Sequence, residues 1–190
     1  FMLVFARIGT AFMLLPGFSS LQIPIRVRLS IALAVTFVAT PILAAQMPPM
    51  PGAPMMIFAL IGAEVLAGAI LGTVPMILLA SMHVAGTIIS FVSGMANALT
   101  FDPVVQSQSA IVSGFLSTTA LMLIFATDMH HIFIRAVLDS YDLFRPGIMP
   151  NVGDTAQMIA RHIAQTFLVG VQMATPFLIV NFAYNVGLGI

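Results

Sequence analysis

Residues 55–98 read MMIFALIGAEVLAGAILGTVPMILLASMHVAGTIISFVSGMANA, and this stretch decides the fold class. It contains one acidic residue, Glu64, and neither Lys nor Arg. A membrane-crossing helix needs about 20 mostly apolar residues, whereas forty-odd helical residues reach about 60 Å, twice the hydrocarbon thickness. The stretch therefore predicts a long helix with a kink at Pro75, which either contains a break or extends well beyond a bilayer.

The composition of the whole chain agrees with a membrane protein. Of 190 residues, 60% are hydrophobic and 6% are charged, and the mean hydropathy is +1.11. A soluble domain carries about 25% charged residues, so soluble enzymes and signalling domains are excluded. The net charge is zero and no basic run occurs, which excludes nucleic-acid binding. The absence of Cys excludes disulfides and thiolate metal sites.

Loops rich in Pro divide the chain into further apolar segments. A Pro-rich loop covers residues 47–54, where no helix can continue. Asp154 is the predicted N-cap of a final helix that contains Pro176. The apolar segments cover residues 1–15, 29–45, 55–98, 106–144 and 154–190. We therefore predict an all-α integral membrane protein of long kinked helical hairpins, forming one membrane domain over residues 1–190.

Small residues recur at four-residue spacing in the two long segments. Such residues let neighbouring helix backbones approach closely, either within one bundle or between subunits. We expect close helix contacts at the glycines of this set, and some of those contacts lie between subunits. The members are Gly68 and Gly72; Gly86, Ser90 and Gly94; and Ser109, Ser113 and Ser117.

Two ionisable residues lie inside apolar segments. Glu64 is an acid deep in such a run, and an intramembrane charge costs about 3 kcal/mol to insert. It is therefore either a functional carboxylate or a hydrogen-bonded group that fixes a helix contact. Arg7 lies in a short segment, which favours snorkelling to a nearby interface over burial. Both are candidate buried polar residues.

Four polar residues form one stripe of a predicted helix. Asp128, His131, Arg135 and Asp139 fall at i, i+3, i+7 and i+11, and the last two are spaced for an ion pair. With His130 beside them, a metal or proton-relay site is one interpretation, but the spacing is not that of HExxH. We favour a structural helix end that is solvated or faces a subunit, without metal. His131 and Arg135 join the candidate buried polar residues.

The sequence offers no catalytic set. The triplet Gly17-Phe18-Ser19 matches the G-x-S string of intramembrane serine proteases, but such a triplet is expected about once by chance in this composition. It also lies in a loop beside Pro16, away from any His with a defined partner. We therefore predict that the chain is not an enzyme and needs no cofactor.

Short motifs occur in a characteristic order along the chain. They are Arg7-Ile8-Gly9, Pro16-Gly17-Phe18, Ile23-Pro24-Ile25-Arg26-Val27-Arg28, Phe101-Asp102-Pro103, His130-His131, Ser140-Tyr141 and Pro146-Gly147. Together they resemble the FliR family of flagellar type III export-apparatus membrane proteins and its virulence-system relatives. The resemblance covers nearly all of the chain. Because that family continues with a further helical part, we expect that the sequence is truncated at Ile190.

The resemblance implies a structural role without catalysis. FliR-like proteins join FliP-like and FliQ-like subunits in a helical export gate, with an FlhB-like protein nearby, in the inner membrane at the flagellar basal body. This hetero-oligomeric assembly lets unfolded flagellar proteins leave the cytoplasm. From the residues alone, the alternative is an ion-coupled secondary transporter that uses Glu64 and the Asp128/His131 stripe, with helices broken at Pro75 and Pro176.

Residues 94–103 form the predicted break between the two long apolar segments. The residue before a Pro is pushed out of the α region, so a helix does not continue through Asp102. We predict an irregular connection: a hairpin tip packed on a neighbour or, as the resemblance implies, a plug in the export channel. Flexible Met and flat Phe side chains can close a pore by excluding water. The candidate plug residues are Met95, Asn97, Leu99, Phe101, Asp102 and Pro103.

Overall fold

The computed structural model describes residues 1–19, 23–49, 51–95, 99–102 and 107–189. Within these ranges the chain forms α-helices, a short 3₁₀ turn and two strands. In chain order they are α1 (Met2–Leu14), α2 (Ile25–Leu43), the 3₁₀ turn (Ala44–Gln46), α3 (Pro54–Val92), β1 (Leu99–Asp102), β2 (Ser107–Ala110), α4 (Ile111–Ala126), α5 (Met129–Leu143) and α6 (Val152–Leu188).

The chain divides into two compact units. The first unit comprises Phe1–Met76 and Asp128–Ile159, and the second comprises Ile77–Thr127 and Ala160–Ile190. Helices α3 and α6 each contribute to both units, because the first boundary falls just after Pro75 and the last falls within α6. The single membrane domain over residues 1–190 stays a prediction.

The core of the first unit is built on one face of α1. Apolar residues recur every three or four positions along this helix, which places them together on the face that α2 and α5 cover. Phe18 packs its ring edge-on against Phe12, with ring centroids 5.1 Å apart, and so ties the loop after α1 to this core. The core residues are Val4, Ile8, Ala11, Phe12, Leu15, Ala32, Ala39, Leu43, Val137 and Tyr141.

The second unit contains a β-hairpin between α3 and α4. Strands β1 and β2 pair antiparallel, with Leu99 opposite Ala110 and Thr100 opposite Ser109. Helix α4 follows β2 without an intervening residue. Helix α6 joins this unit through Thr166, whose Oγ1 donates a hydrogen bond to the carbonyl oxygen of Ile77 at 2.9 Å.

Three details differ from the sequence prediction. The connection predicted to be irregular contains β1, because four residues from Leu99 pair with a second strand. The segment over 106–144, expected as a helical stretch that either contains a break or extends well beyond a bilayer, begins as β2 and then breaks between α4 and α5, where Asp128 adopts a left-handed backbone (φ 58°). Asn151, not Asp154, caps α6: its Oδ1 accepts a hydrogen bond from the Gly153 amide at 2.9 Å.

Three helical segments have the length and apolarity of membrane spans. They are Ile25–Gln46, Pro54–Val92 and Val152–Leu188, and α4 with α5 adds a fourth if that bent pair is one span. Only 17% of the most apolar window of α6 is buried, compared with 33% for α3. Helix α6 therefore presents most of its apolar surface to lipid or to other protein.

Candidate functional site

The first unit contains a buried ion pair between α1 and α3. Arg7 Nε donates to Glu64 Oε2 at 2.7 Å, and both side chains are 1% exposed. Arg7 therefore does not snorkel, because a partner lies within reach in the interior. Burying an unpaired charge costs several kcal/mol, so each of these residues depends on the other for its place in the fold.

The remaining donors of Arg7 cap the end of α5. Nη1 donates to the carbonyl and hydroxyl oxygens of Ser140 at 3.2 and 3.3 Å, and Nη2 donates to the Phe144 carbonyl at 2.9 Å. The guanidinium also lies 4.0 Å from the ring centroid of Tyr141, a cation–π contact. A cation is favourable beside the carbonyls that end a helix. Arg7 thus holds α1 against the last turn of α5.

Both oxygens of Glu64 are occupied. Oε2 accepts from Arg7, and Oε1 accepts from the Gly147 amide at 3.0 Å. Gly147 has a positive φ of 83°, and a Cβ there would meet Leu60 at 2.7 Å. A glycine is required both for this turn and for the close approach of its amide. Sequence reasoning selected Glu64 but missed this partner; the only signal was the Pro146-Gly147 turn.

Two predicted packing glycines bring α1 and α3 together. A Cβ on Gly68 would overlap the Arg7 carbonyl oxygen, and a Cβ on Gly72 would meet Leu14 at 2.6 Å and the Ala11 carbonyl oxygen at 2.8 Å. Gly68 lies one helical turn after Glu64, on the same face. The close backbone approach at Gly68 therefore places the Arg7 side chain within reach of Glu64.

A second tight contact, in the other unit, joins α3 and α4. A Cβ on Gly86 would overlap main-chain atoms of Ser113. The Ser113 hydroxyl lies 2.7 Å from His83 Nδ1 and 3.2 Å from the His83 carbonyl oxygen. Three more buried serines each lie four residues from Gly86 or Ser113, and we call the four side chains the serine seam: Ser90, Ser109, Ser113 and Ser117.

Gly94 differs from the other predicted packing glycines. It follows the end of α3 with a φ of 75°, and a Cβ there would meet no atom within 4 Å. The residue is exposed. Gly94 therefore makes no close helix contact among the described residues, and its left-handed backbone accounts for the glycine; a contact with another subunit stays a prediction.

The candidate plug residues fall in and around the hairpin. Met95 is exposed after α3, and Leu99, at the start of β1, is 60% exposed. Ser109, which pairs with the neighbouring residue Thr100, is buried. Because successive strand residues point to opposite faces, the Ser109 face turns inward and the Leu99 face turns outward. Phe101 and Asp102 lie in β1, whereas Asn97 and Pro103 lie outside the described residues.

The polar stripe of α5 lies at the surface. The side chains of His131 and Arg135 are 69% and 83% exposed, so their assignment as buried polar residues is wrong. This exposure is compatible with the interpretation favoured from the sequence, a helix end that is solvated or faces a subunit. Arg135 pairs with Asp139 at 3.5 Å along the helix.

The structure adds His130 to the start of this stripe. His130 and His131 have ring centroids 4.1 Å apart, and Asp128, His130 and His131 each offer a ligand atom within 4.8 Å of the others. Asp128 Oδ1 lies 3.8 Å from His131 Nδ1. The absence of a bound metal stays a prediction. Exposure of two members to solvent and the positive end of α5 both oppose tight cation binding.

Comparison with known proteins agrees with the motifs. The chain matches the family described as bacterial export proteins, family 1, over residues 1–190. The flagellar biosynthetic protein FliR of Caulobacter vibrioides is 35% identical over 99% of this chain and 75% of its own length. The corresponding protein of Bacillus subtilis is 29% identical over 100% of this chain and 74% of its own length. That of Escherichia coli is 27% identical over 98% and 69%. The chain therefore belongs to family 1 of the bacterial export proteins, with relatives of the FliR type, and is a helical membrane component of the flagellar export apparatus.

Proposed function

We propose that the chain is a structural subunit of the flagellar type III export gate and forms part of the channel through which unfolded flagellar proteins cross the inner membrane at the basal body. Its partners in this proposal are FliP-like and FliQ-like subunits, with an FlhB-like protein nearby. The proposal includes the hairpin as the movable seal of that channel.

The observation that carries the proposal is the β1–β2 hairpin. A two-stranded sheet has two open edges of main-chain N–H and C=O groups. Such edges do not face lipid, because hydrocarbon cannot satisfy their hydrogen bonds; they occur only where backbone is buried in protein or lines a water-filled cavity. At the depth of the hydrocarbon, the hairpin would therefore belong in a pore or against another subunit.

The surface of the helices supports an assembly. Most of the apolar window of α6 is uncovered within this chain, and the same holds for Ile25–Gln46, of which 22% is buried. Exposed apolar residues include Phe37, Ile42, Phe167 and Phe182. Lipid and neighbouring subunits are both able to cover such faces. A subunit embedded in a hetero-oligomer requires faces of this kind.

The buried carboxylate opposes the transporter alternative. Glu64 is paired with Arg7 and accepts the Gly147 amide, so both of its oxygens serve structural contacts. Asp128 and His131, the other residues proposed for ion coupling, are exposed at a helix end. A coupling site needs a carboxylate that exchanges its ligand during the cycle. No described group of residues favours that mechanism here.

Purification in mild detergent tests the assembly. The tagged full-length protein is expected to copurify with two other small membrane proteins in a fixed ratio. An isolated chain or a homo-oligomer that binds a small solute would contradict the gate.

Ion conductance of the assembled complex tests the seal. Deleting residues 95–101, or changing Leu99 and Phe101 to Gly, is expected to leave assembly intact and to make the membrane leak small ions, because apolar bulk is removed from the hairpin. Leu143→Gly is the matched control, since Leu143 is 77% exposed at the end of α5. Unchanged ion conductance in a fully assembled deletion variant would contradict the seal. The alternative, a hairpin tip packed on a neighbouring helix or subunit, would then remain.

A further inference from the structure

Three hydroxyls of the serine seam are buried without a protein partner. Ser90 and Ser117 are 0% exposed and Ser109 is 6% exposed. Their Oγ atoms make no hydrogen bond with any residue that the structure describes. Ser113, in the middle of the seam, differs because its hydroxyl is hydrogen-bonded to His83. A buried hydroxyl with no partner costs about 1–3 kcal/mol, so three in one seam require an explanation.

The unpaired hydroxyls lie on the two sides of the close contact between α3 and α4. Gly86 meets the Ser113 main chain directly. Ser90 lies one turn after Gly86 in the direction of the hairpin, and Ser109 lies in the hairpin itself. Ser117 lies one turn after Ser113, on the same face of α4. The seam therefore has a polar position at its hairpin end and another at its far end.

We propose that the serine seam is a binding site for ordered water, with water molecules held by Ser90 and Ser109 at the hairpin end and by Ser117 at the far end. Buried water typically makes about three hydrogen bonds to polar groups that otherwise lack partners. Here the hydroxyls supply one or two, and main-chain carbonyls of α3 and α4 supply the rest. The chemistry of the site, neutral hydroxyls without a charged residue among its four members, suits water and not an ion.

The role of this water rests on the proposed gate. A hairpin held to α3 by direct hydrogen bonds or by interlocking apolar side chains would lose that contact whenever it moved. A water-bridged contact exchanges its hydrogen bonds with little loss, because water is nearly as good a partner as a protein group. The hydrated end at Ser90 and Ser109 would thus let the hairpin part from α3 reversibly.

The sign of a stability change tests the proposal. If the hydroxyls bind water, Ser90→Ala and Ser117→Ala remove a ligand of that water, and the Tm of the full-length protein in lipid nanodiscs is expected to fall by about 2–4 °C. If the hydroxyls are dry, removing an unpaired polar group raises the Tm or leaves it unchanged, which would overturn the proposal. Ser30→Ala is the control: Ser30 is an exposed residue whose hydroxyl bonds the Arg26 carbonyl.

A second measurement needs no variant. A short X-ray pulse generates hydroxyl radicals from bound water and labels side chains beside it. His83, which is half-buried and contacts the seam, is expected to be labelled more strongly than His162, a half-buried histidine of the same unit that is not a contact of the seam. Absence of label at His83 would also overturn the proposal. If these tests show no water in the seam but the deletion of residues 95–101 makes the membrane leak ions, the water site is rejected and the proposed gate is retained.

Discussion

The two units bury polar groups in opposite ways. In the first unit, Arg7 and Glu64 form a charged pair whose hydrogen-bonding atoms bind Ser140, Phe144 and Gly147. In the second unit, the buried polar groups are neutral hydroxyls and include the serine seam, three members of which lack a partner among the described residues. Charge-assisted hydrogen bonds are stronger and more directional than neutral ones. The difference indicates one unit fixed in a single arrangement and another whose polar contacts exchange easily.

Breaking the charged pair gives the largest expected effect. Arg7→Met or Glu64→Met leaves its partner buried and unpaired, and each single variant is expected to lose about 3–5 kcal/mol of folding free energy. Thermal unfolding in detergent measures this loss. The double variant is the control, because it removes both charges and is expected to be more stable than either single variant. Single variants within about 1 kcal/mol of the native protein would show that the ion pair does not fix this unit.

A smaller effect is expected at the contact between α3 and α4. Gly86→Ala places a methyl group against the Ser113 main chain, and overpacking of this kind costs about 1–3 kcal/mol. Gly86→Leu is expected to reduce recovery of the assembled complex. Gly62→Ala is the matched control on the same helix: no atom lies within 4 Å of its Cβ position, so helix propensity alone favours Ala by up to about 1 kcal/mol. Equal folding stability of the Gly86→Ala and Gly62→Ala variants would contradict a close contact between Gly86 and Ser113.

The smallest effect is expected at the surface stripe of α5. Arg135 and Asp139 are both mostly exposed, and such pairs contribute about 0.3–0.5 kcal/mol. Arg135→Ala is therefore expected to leave the unfolding temperature almost unchanged. If Arg135 contacts a partner subunit, the same variant is expected to reduce the amount of assembled complex that is recovered. Metal analysis of the purified protein is expected to find none bound. Stoichiometric metal that is lost in His131→Ala would instead establish a site at Asp128, His130 and His131.

The local sequence predicted where the long helices lie but not the contacts between residues far apart in the chain. Hydropathy and Pro placement were sufficient for α2, α3 and α6, and isolation in an apolar run was sufficient to select Glu64. The partner of Glu64 is 57 residues away in the sequence, a distance at which no periodicity connects two residues. Arg7 therefore read as a snorkelling side chain, although the fold buries it.

The β-hairpin and the position of the break before α5 were not predicted, for a different reason. Ser107–Ala110 is too short and too polar for a strand to stand out beside an apolar helix. The pairing with β1, and not the intrinsic preference of these residues, makes them a strand. The break at Asp128 contains neither Gly nor Pro, which are the residues that usually signal one. Asp is among the few other residues that adopt a left-handed backbone.

The contacts of Arg7 also set an order for biogenesis. Arg7 emerges from the ribosome with α1, Glu64 follows 57 residues later, and Ser140 and Phe144 follow 133 and 137 residues after Arg7. Until α5 has been made, the guanidinium therefore has to be accommodated by the translocation machinery, by lipid headgroups or by Glu64 alone. The nascent chain completes this cluster only when α5 arrives. A quality-control protease would accordingly meet a chain stopped before α5 with an incompletely satisfied cation in α1, a feature that distinguishes a chain without α5 from one that contains it.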